Sequence, residues 1–251
     1  MTLRLLTYNI RYGGTGQEDA LAAVIRSANP DVVMLQEATN PSVVAKLSDA
    51  CGLPYSGSQP GQSTGYLSRE RVTHSGWHRP RGARHPFLEL VLGDGATRIF
   101  GLHLSAWFSN WSERRRAMEI RALLHGIREH QHGFHLIAGD FNALAPGERL
   151  EVWRMPRWIR AMVWLSGRDI ARHTIQHMLD SGYADAWRQL HPKEPGFTFP
   201  TWDPHVRLDY VFTPARYAEQ IVACDVLMRP EEAKRASDHF PLLAETADSR
   251  A

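Results

Sequence analysis

Apolar and polar positions along this chain fall into blocks with the lengths of strands and helices in turn. Residues 3–10 run apolar as far as Asn9 and read as a strand. Residues 20–28 carry apolar positions at helical spacing, and Asn29-Pro30 stops them. Val32-Val33-Met34-Leu35 is an unbroken apolar run, a buried strand that ends in Gln36-Glu37. Residues 88–92 and 98–102 predict a hairpin across Gly93-Asp94-Gly95, its second strand ending at His103. Asn110-Trp111-Ser112-Glu113 has the spacing of a capping box. Behind it, Ile120, Leu123, Leu124 and Ile127 line one helical face as far as Gly133. Leu136-Ile137-Ala138 is a further strand that breaks off in Gly139-Asp140-Phe141-Asn142. Residues 208–212 form a strand carrying Asp209, and Ser237-Asp238-His239-Phe240-Pro241 leads into a last short one. Alternating strands and helices predict an α/β fold. With no repeat, low-complexity tract or linker, a single domain over residues 1–251 is the simplest organisation.

The polar residues at the strand ends change the picture. Asn9, Glu37, His103, Asp140, Asn142, Asp209, Asp238 and His239 all stand at or just beyond the end of an apolar run. Groups of this kind buried without partners cost several kcal/mol, so they are expected to face a ligand, a metal or one another. Carboxylates accompanied by amides and histidines are what a hard cation and a phosphoryl group require. Carboxylate oxygens bind the ion, while amide NH2 and imidazole NH groups donate to phosphate oxygens as charge builds up on them. No Ser or Cys nucleophile sits beside a His–acid pair, so direct attack by water is the better reading.

Composition bounds this reading without sharpening it. The 251 residues are 43% hydrophobic, enough for a substantial core, and the formal net charge is +2. That charge neither demands nor excludes an anionic substrate. Cys51 and Cys224 are the only cysteines, which argues against a disulfide framework or a Cys-rich zinc site and fits a reducing, cytoplasmic location. The stretch from Met1 to Leu6 goes straight into strand-like sequence rather than an apolar signal core. No apolar run approaches the roughly 20 residues of a membrane span.

Taken in order, Thr7-Tyr8-Asn9-Ile10-Arg11, Leu35-Gln36-Glu37, Gly101-Leu102-His103-Leu104, Gly139-Asp140-Phe141-Asn142, Arg207-Leu208-Asp209-Tyr210-Val211-Phe212 and Ser237-Asp238-His239-Phe240-Pro241 resemble the signatures of the endonuclease/exonuclease/phosphatase family. Any one of these motifs is weak; six in sequence order are highly specific. The resemblance implies a deoxyribonuclease I-like four-layer α/β sandwich, two packed mixed β-sheets flanked by helices. It implies a phosphodiesterase dependent on Mg2+, with Mn2+ as a substitute. It also implies roles: Glu37 as chief metal ligand with Asn9 and Asp238 near the ion, and Asp140 orienting or deprotonating the attacking water. Asn142 would hold a phosphate oxygen. His239 paired with Asp209 would stabilise the transition state or exchange a proton, and His103 would bind phosphate or protonate the leaving oxygen. The formal base, Asp140 or His239, stays open.

Arg11 stands where the family's AP endonucleases carry an acid, and His103 near where they use a tyrosine. Both features resemble the deoxyribonuclease I and sphingomyelinase side. The stretch Ser63-Thr64-Gly65-Tyr66 lacks the family's usual Asn-Ala pair. Residues 147–181 form a longer link than is usual, rich in Trp and Arg: Trp153, Arg154, Arg157, Trp158, Arg160, Trp164, Arg168 and Arg172. These aromatics and arginines suit stacking on bases or lying in a lipid interface. Alternatively, Trp158, Ile159, Met162, Val163 and Leu165 simply pack a helix on the domain. Arg114, Arg157, Trp158 and Trp202 are the expected substrate contacts. Arg114-Arg115-Arg116 reads as a solvated helix face, His173 and His177 as a solvated pair rather than metal ligands, and both cysteines as small buried hydrophobes. Nucleic acid is the expected substrate. A phospholipid head group or inositol phosphate is the alternative, and an inactive nucleic-acid- or protein-binding module the third reading.

Overall fold

The structure, a computed structural model, describes residues 2–93, 95 and 97–247. Strand β1 (Arg4–Asn9) leads through α1 (Glu18–Ala28) to β2 (Val32–Gln36), and α2 (Pro41–Cys51) to the hairpin of β3 (Tyr55–Ser58) and β4 (Gly65–Ser68). A meander follows, β5 (Val72–His78), β6 (Phe87–Leu92) and β7 (Thr97–His103). Helix α3 (Asn110–Gly126) crosses to β8 (His135–Asp140). Then come α4 (Arg157–Leu165), α5 (His173–Asp180), β9 (Tyr183–Asp185) and α6 (Ala186–Leu190). Last are β10 (Asp209–Pro214), β11 (Ile221–Val226), α7 (Ala233–Ala236) and β12 (Leu242–Thr246).

The strands form two six-stranded mixed sheets, ordered β11-β12-β1-β2-β4-β3 and β5-β6-β7-β8-β10-β9. The parallel pairs β1–β2 and β7–β8, each joined by the helical crossover such a pair requires, sit inside their respective sheets. Leu5, Met34, Leu90, Ile99, Leu136 and Val211 interdigitate between the sheets. Each such aliphatic side chain stabilises the fold by roughly 1.5–3 kcal/mol. Close approach of the sheets explains Gly101: a Cβ there would lie 2.1 Å from Met34 Cε. Outside, α1 and α2 cover the first sheet through Leu21, Ile25, Val43 and Leu47, and α3 and α5 cover the second through Ile120, Leu124 and Ile175. This is the four-layer sandwich that the resemblance implies.

Several local expectations shift. The first helix begins at Glu18, and the second strand of the hairpin runs through His103 as expected, while Asp94 of its turn lies outside the described residues. The α3 cap is Ser109, whose Oγ accepts from Ser112 N at 3.1 Å, not Asn110. Asn110 instead donates to the carbonyls of Ser166 and Asp169 and accepts from Ala171 N, tying α3 to the segment after α4. Helix α3 ends at Gly126 rather than Gly133, although Ile127 still packs. The run Arg114-Arg115-Arg116 is not uniformly solvated. Arg114 is exposed, whereas Arg116 is 1% exposed and bonded to buried Glu113 at 2.9 Å and to the carbonyls of Ser105 and Trp107. Cys224 is buried, but Cys51 only half so.

Within the 147–181 segment, α4 packs on the domain through Ile159 and Val163, with Leu144, Met155 and Leu208 beneath. The packing expected of Trp158 and Leu165 fails: they are 55% and 76% exposed. Together with Trp164 they leave an aromatic and aliphatic face in solvent. His173 is exposed and His177 half-buried, and among the described residues neither joins a cluster of metal-capable side chains.

Candidate active site

Strand register assembles the polar residues at one rim of the sandwich. Asn9 closes β1 beside Gln36, the last residue of β2, so Glu37 begins the next loop at its side. In the second sheet His103 pairs with Asp140 across β7–β8, and Asp209 pairs with Asp140 across β10–β8. His239 arrives from the loop before β12. Gly139 permits the crowding, because its φ is +150° and a Cβ would sit 2.0 Å from the Leu102 carbonyl oxygen.

Side chains from the two sheets then meet. Asn9 Nδ2 donates to Asp140 Oδ2 at 3.1 Å and to Glu37 Oε1 at 3.3 Å, while its Oδ1 accepts from Arg11 N. As oriented, Asn9 therefore bridges the two carboxylates through its NH2. Glu37 has a left-handed backbone, φ 56°, rare for a residue with a side chain and characteristic of functional loops. Its Oε2 accepts from Tyr12 N at 2.6 Å, and its own N–H donates to Ser63 Oγ. Asp238 carries an ion pair to Arg11 at 3.2 Å, and Ser237 Oγ clamps the same loop to the Asn9 carbonyl. Asn142, also left-handed, donates its N–H to Asp140 Oδ1 at 2.8 Å and its Nδ2 to Leu104 O.

The charges are set by burial and by one another. Burial pushes the Asp140 carboxyl up to about 7, with Asp209 adding to it and His239 opposing. Burial alone would strip His239 of its proton. Asp209, whose Oδ2 lies 2.8 Å from His239 Nδ1, outweighs that with help from Asp140, and holds the ring at about 10. His239 Nε2 then faces Asp140 Oδ2 at 3.9 Å. His103 goes the other way: burial first, then the stacked His85 ring 5.0 Å away, His239 and Arg84 drive it down to about 3. Its Nδ1 lies 2.5 Å from Ser63 Oγ, whose proton has no other acceptor among the described residues. Neutral His103 thus carries its proton on Nε2, 3.6 Å from Asp140 Oδ2.

These groups border a cleft of about 580 Å³ whose walls also include Tyr12, Arg84, Trp107, Trp158 and Phe199. Trp107 and Trp158 meet edge to face at 5.6 Å, and Phe199 packs on His239. Of the four expected substrate contacts, Trp158 lines this cleft, whereas Arg114, Arg157 and Trp202 do not. Ser63, Arg84, His85 and Trp107 were missed by sequence reasoning. Ser63 stands in the stretch noted only for lacking the Asn-Ala pair, and the others carried no motif.

The donor set suits a divalent cation. Asp140, Asp209 and His239 hold ligand atoms within 4.8 Å of one another, and Asp209 Oδ1 is buried without a hydrogen-bond partner among the described residues. An ion centred on those three would have to displace the Nε2 proton of cationic His239. Glu37 and Asp238, both half-buried on the cleft wall, offer carboxylate oxygen without that cost.

Two packed mixed sheets with carboxylates, amides and histidines converging at one rim define a hydrolytic phosphoesterase of the deoxyribonuclease I-like fold. The family model described as "Endonuclease/Exonuclease/phosphatase family" matches residues 6–239, and the chain belongs to that family, whose members are hydrolytic, generally divalent-metal-dependent phosphoesterases. No curated protein matches the sequence. Among solved structures, the chain is similar to an AP endonuclease from Archaeoglobus fulgidus: 17% identity, TM-score 0.72, 96% of this chain and 98% of that one covered. It is similar also to D. rerio TDP2 complexed with single-strand DNA product, at 20% identity and TM-score 0.68 over 97% and 98% of the two chains. A third is the Neisseria 3' phosphatase NExo bound to product DNA hairpin, at 16% identity and TM-score 0.71 over 97% and 99%. Identities this low carry the fold alone. Among the described residues, no helix is long and apolar enough to cross a membrane.

Proposed function

We propose that this protein hydrolyses phosphodiester bonds in nucleic acid by direct attack of water, with Mg2+ held by Glu37 and Asp238 beside Asn9. The observation that carries the substrate class is the paired Trp107 and Trp158 in the wall of the cleft that contains Asp140, His103 and His239. Exposed aromatic faces in a cleft that also holds an arginine, here Arg84, suit stacking on unpaired bases while the cation neutralises phosphate. The DNA products held by D. rerio TDP2 and the Neisseria 3' phosphatase lend support.

A bound divalent ion supplies charge to offset the phosphate oxygens and sharpens the phosphorus as an electrophile. The chain's own groups do the rest. Asp140, ionised above about 7, accepts a proton from the water as its oxygen bonds to phosphorus and the P–O bond to the leaving group breaks. Asn9 and Asn142 hold that carboxylate from both sides. Cationic His239, pinned through Nδ1 by Asp209, gives its Nε2 proton to the leaving oxygen, so the displaced group departs as an alcohol. His103, neutral near pH 7, donates from Nε2 as a hydrogen-bonding group rather than as an acid.

Single-stranded DNA, plasmid and RNA, each incubated with and without Mg2+, test the proposal. Metal-dependent cleavage that falls by about 100- to 10,000-fold in Asp140→Ala and His239→Ala is the expected result. A second reading, the same chemistry on a phospholipid head group, is favoured by the exposed Trp164 and Leu165 of α4. Release of phosphocholine or inositol-bound phosphate with polynucleotides left intact would establish it and overturn the first.

A further inference from the structure

We propose that the outer face of the β5–β6 ladder carries a second metal site, built from His74, His78 and Glu89, for a borderline transition ion such as Zn2+. Pairing sets Gly76 opposite Glu89 and His78 opposite Phe87, while a bulge between Val72 and His74 brings His74 opposite Val91. Alternation along a strand therefore puts His74, Gly76 and His78 on one face of β5 with Glu89 on the same face of β6. The intervening Leu88, Leu90 and Leu92 point into the intersheet core, so this face looks outward. None of the three side chains lines the catalytic cleft.

The donors converge although their backbones do not. Residues four apart on a strand are separated by about 13 Å, yet ligand atoms of all three side chains lie within 4.8 Å of one another. His78 Nε2 is 2.9 Å from Glu89 Oε2. Both rings lean over Gly76, where a Cβ would stand 2.8 Å from His78 Nε2 and 3.1 Å from His74 Nε2. The glycine leaves the hollow in which the imidazoles meet. Arg98 pairs with Glu89 Oε1, which fixes the carboxylate and leaves Oε2 turned to the histidines.

Two imidazole nitrogens and one carboxylate oxygen form a three-ligand set with an open position, typical of zinc bound together with water. Mg2+ and Ca2+ prefer all-oxygen surroundings, so the site discriminates against the ion expected in the cleft. Exposed His74 and His78 give the ion a path in. The Arg98 guanidinium adds positive charge nearby, so binding is weaker than at a closed four-ligand site.

Zinc titrated against a chromophoric chelator, with the protein held in excess Mg2+ to fill the cleft, tests the proposal. One zinc per chain in the micromolar range or tighter is expected, unchanged in Glu37→Gln. It should weaken by at least about 10- to 100-fold in His74→Ala and in His78→Ala. Co2+ in place of zinc should give visible absorption bands that the same two variants lose, while circular dichroism shows them folded. Absence of zinc binding, or binding that survives both histidine variants, overturns the site.

Discussion

Replacing Asp209 by asparagine keeps the shape of the side chain and an acceptor for His239 Nδ1 but removes a negative charge. In the native protein that charge lies 2.8 Å from Nδ1 and is the main influence opposing burial, holding the ring at about 10 against an ordinary 6.5. Such a shift corresponds to on the order of 5 kcal/mol in favour of the imidazolium. A unit charge at this distance supplies on the order of 4–6 kcal/mol at an effective dielectric constant near 20. Loss of Asp209 is therefore large enough to leave the ring neutral near pH 8. Heteronuclear NMR of the imidazole nitrogens in metal-free protein reads this directly. The native ring should stay protonated until the pH rises through about 10, and the variant should lose its proton at lower pH. Because the folded value lies above the unfolded one, the stability that His239 contributes is fully present below 6.5 and lost as pH rises through about 10. Alkaline destabilisation should accordingly be shallower in Asp209→Asn. The turnover number on single-stranded DNA with Mg2+ should fall about 100- to 10,000-fold. A variant whose His239 remains cationic near pH 8 would show that something other than Asp209 holds the charge.

Further outcomes follow from the same geometry. Ser63→Ala, which frees His103 Nδ1 and the Glu37 amide, should lower the turnover number about 10- to 100-fold and raise the Mg2+ needed for half-maximal rate. An unchanged Mg2+ titration would remove Ser63 from the site. Trp107→Ala and Trp158→Ala should each raise KM for single-stranded DNA about 5- to 150-fold, the loss of one stacked base, with the turnover number retained. A loss confined to the turnover number would contradict stacking. Arg116→Met should cost about 3–5 kcal/mol in chemical denaturation, because Glu113 is left charged and buried, and Glu113→Gln added to it should restore most of that. A loss near zero would mean that the pair is not buried in solution.

Much of this was legible in the sequence because strand ends are marked by abrupt changes in polarity. Asn9, Glu37, His103 and Asp140 each follow an apolar run and Asp209 opens one, and register then places them together. What stayed hidden depends on contacts remote in sequence. Ser63 is an ordinary loop serine until folding sets it between Glu37 and His103. Arg116 looks solvent-facing in a run of arginines, but the 3.6-residue period turns it, with Ala117 and Ile120, toward the protein, where Glu113 and two carbonyls satisfy the guanidinium. Ser109 and Asn110 are both competent caps, and the decision fell to Asn110's bonds with residues 166–171. The helical period of 157–165 was readable; which of its aromatics would be left in solvent was not, since the covering layer ends at Ile159 and Val163.

Asn9 ends one strand of the first sheet and Glu37 follows the next, whereas His103, Asp140 and Asp209 lie in strands of the other. A folding chain therefore owns no partial active site: each half carries only fragments of it. The Asp238–His239 loop is clamped by Ser237 to the end of β1, and β12, which follows it, pairs with that same strand. Hydrolytic competence should thus require both sheets to be in place together.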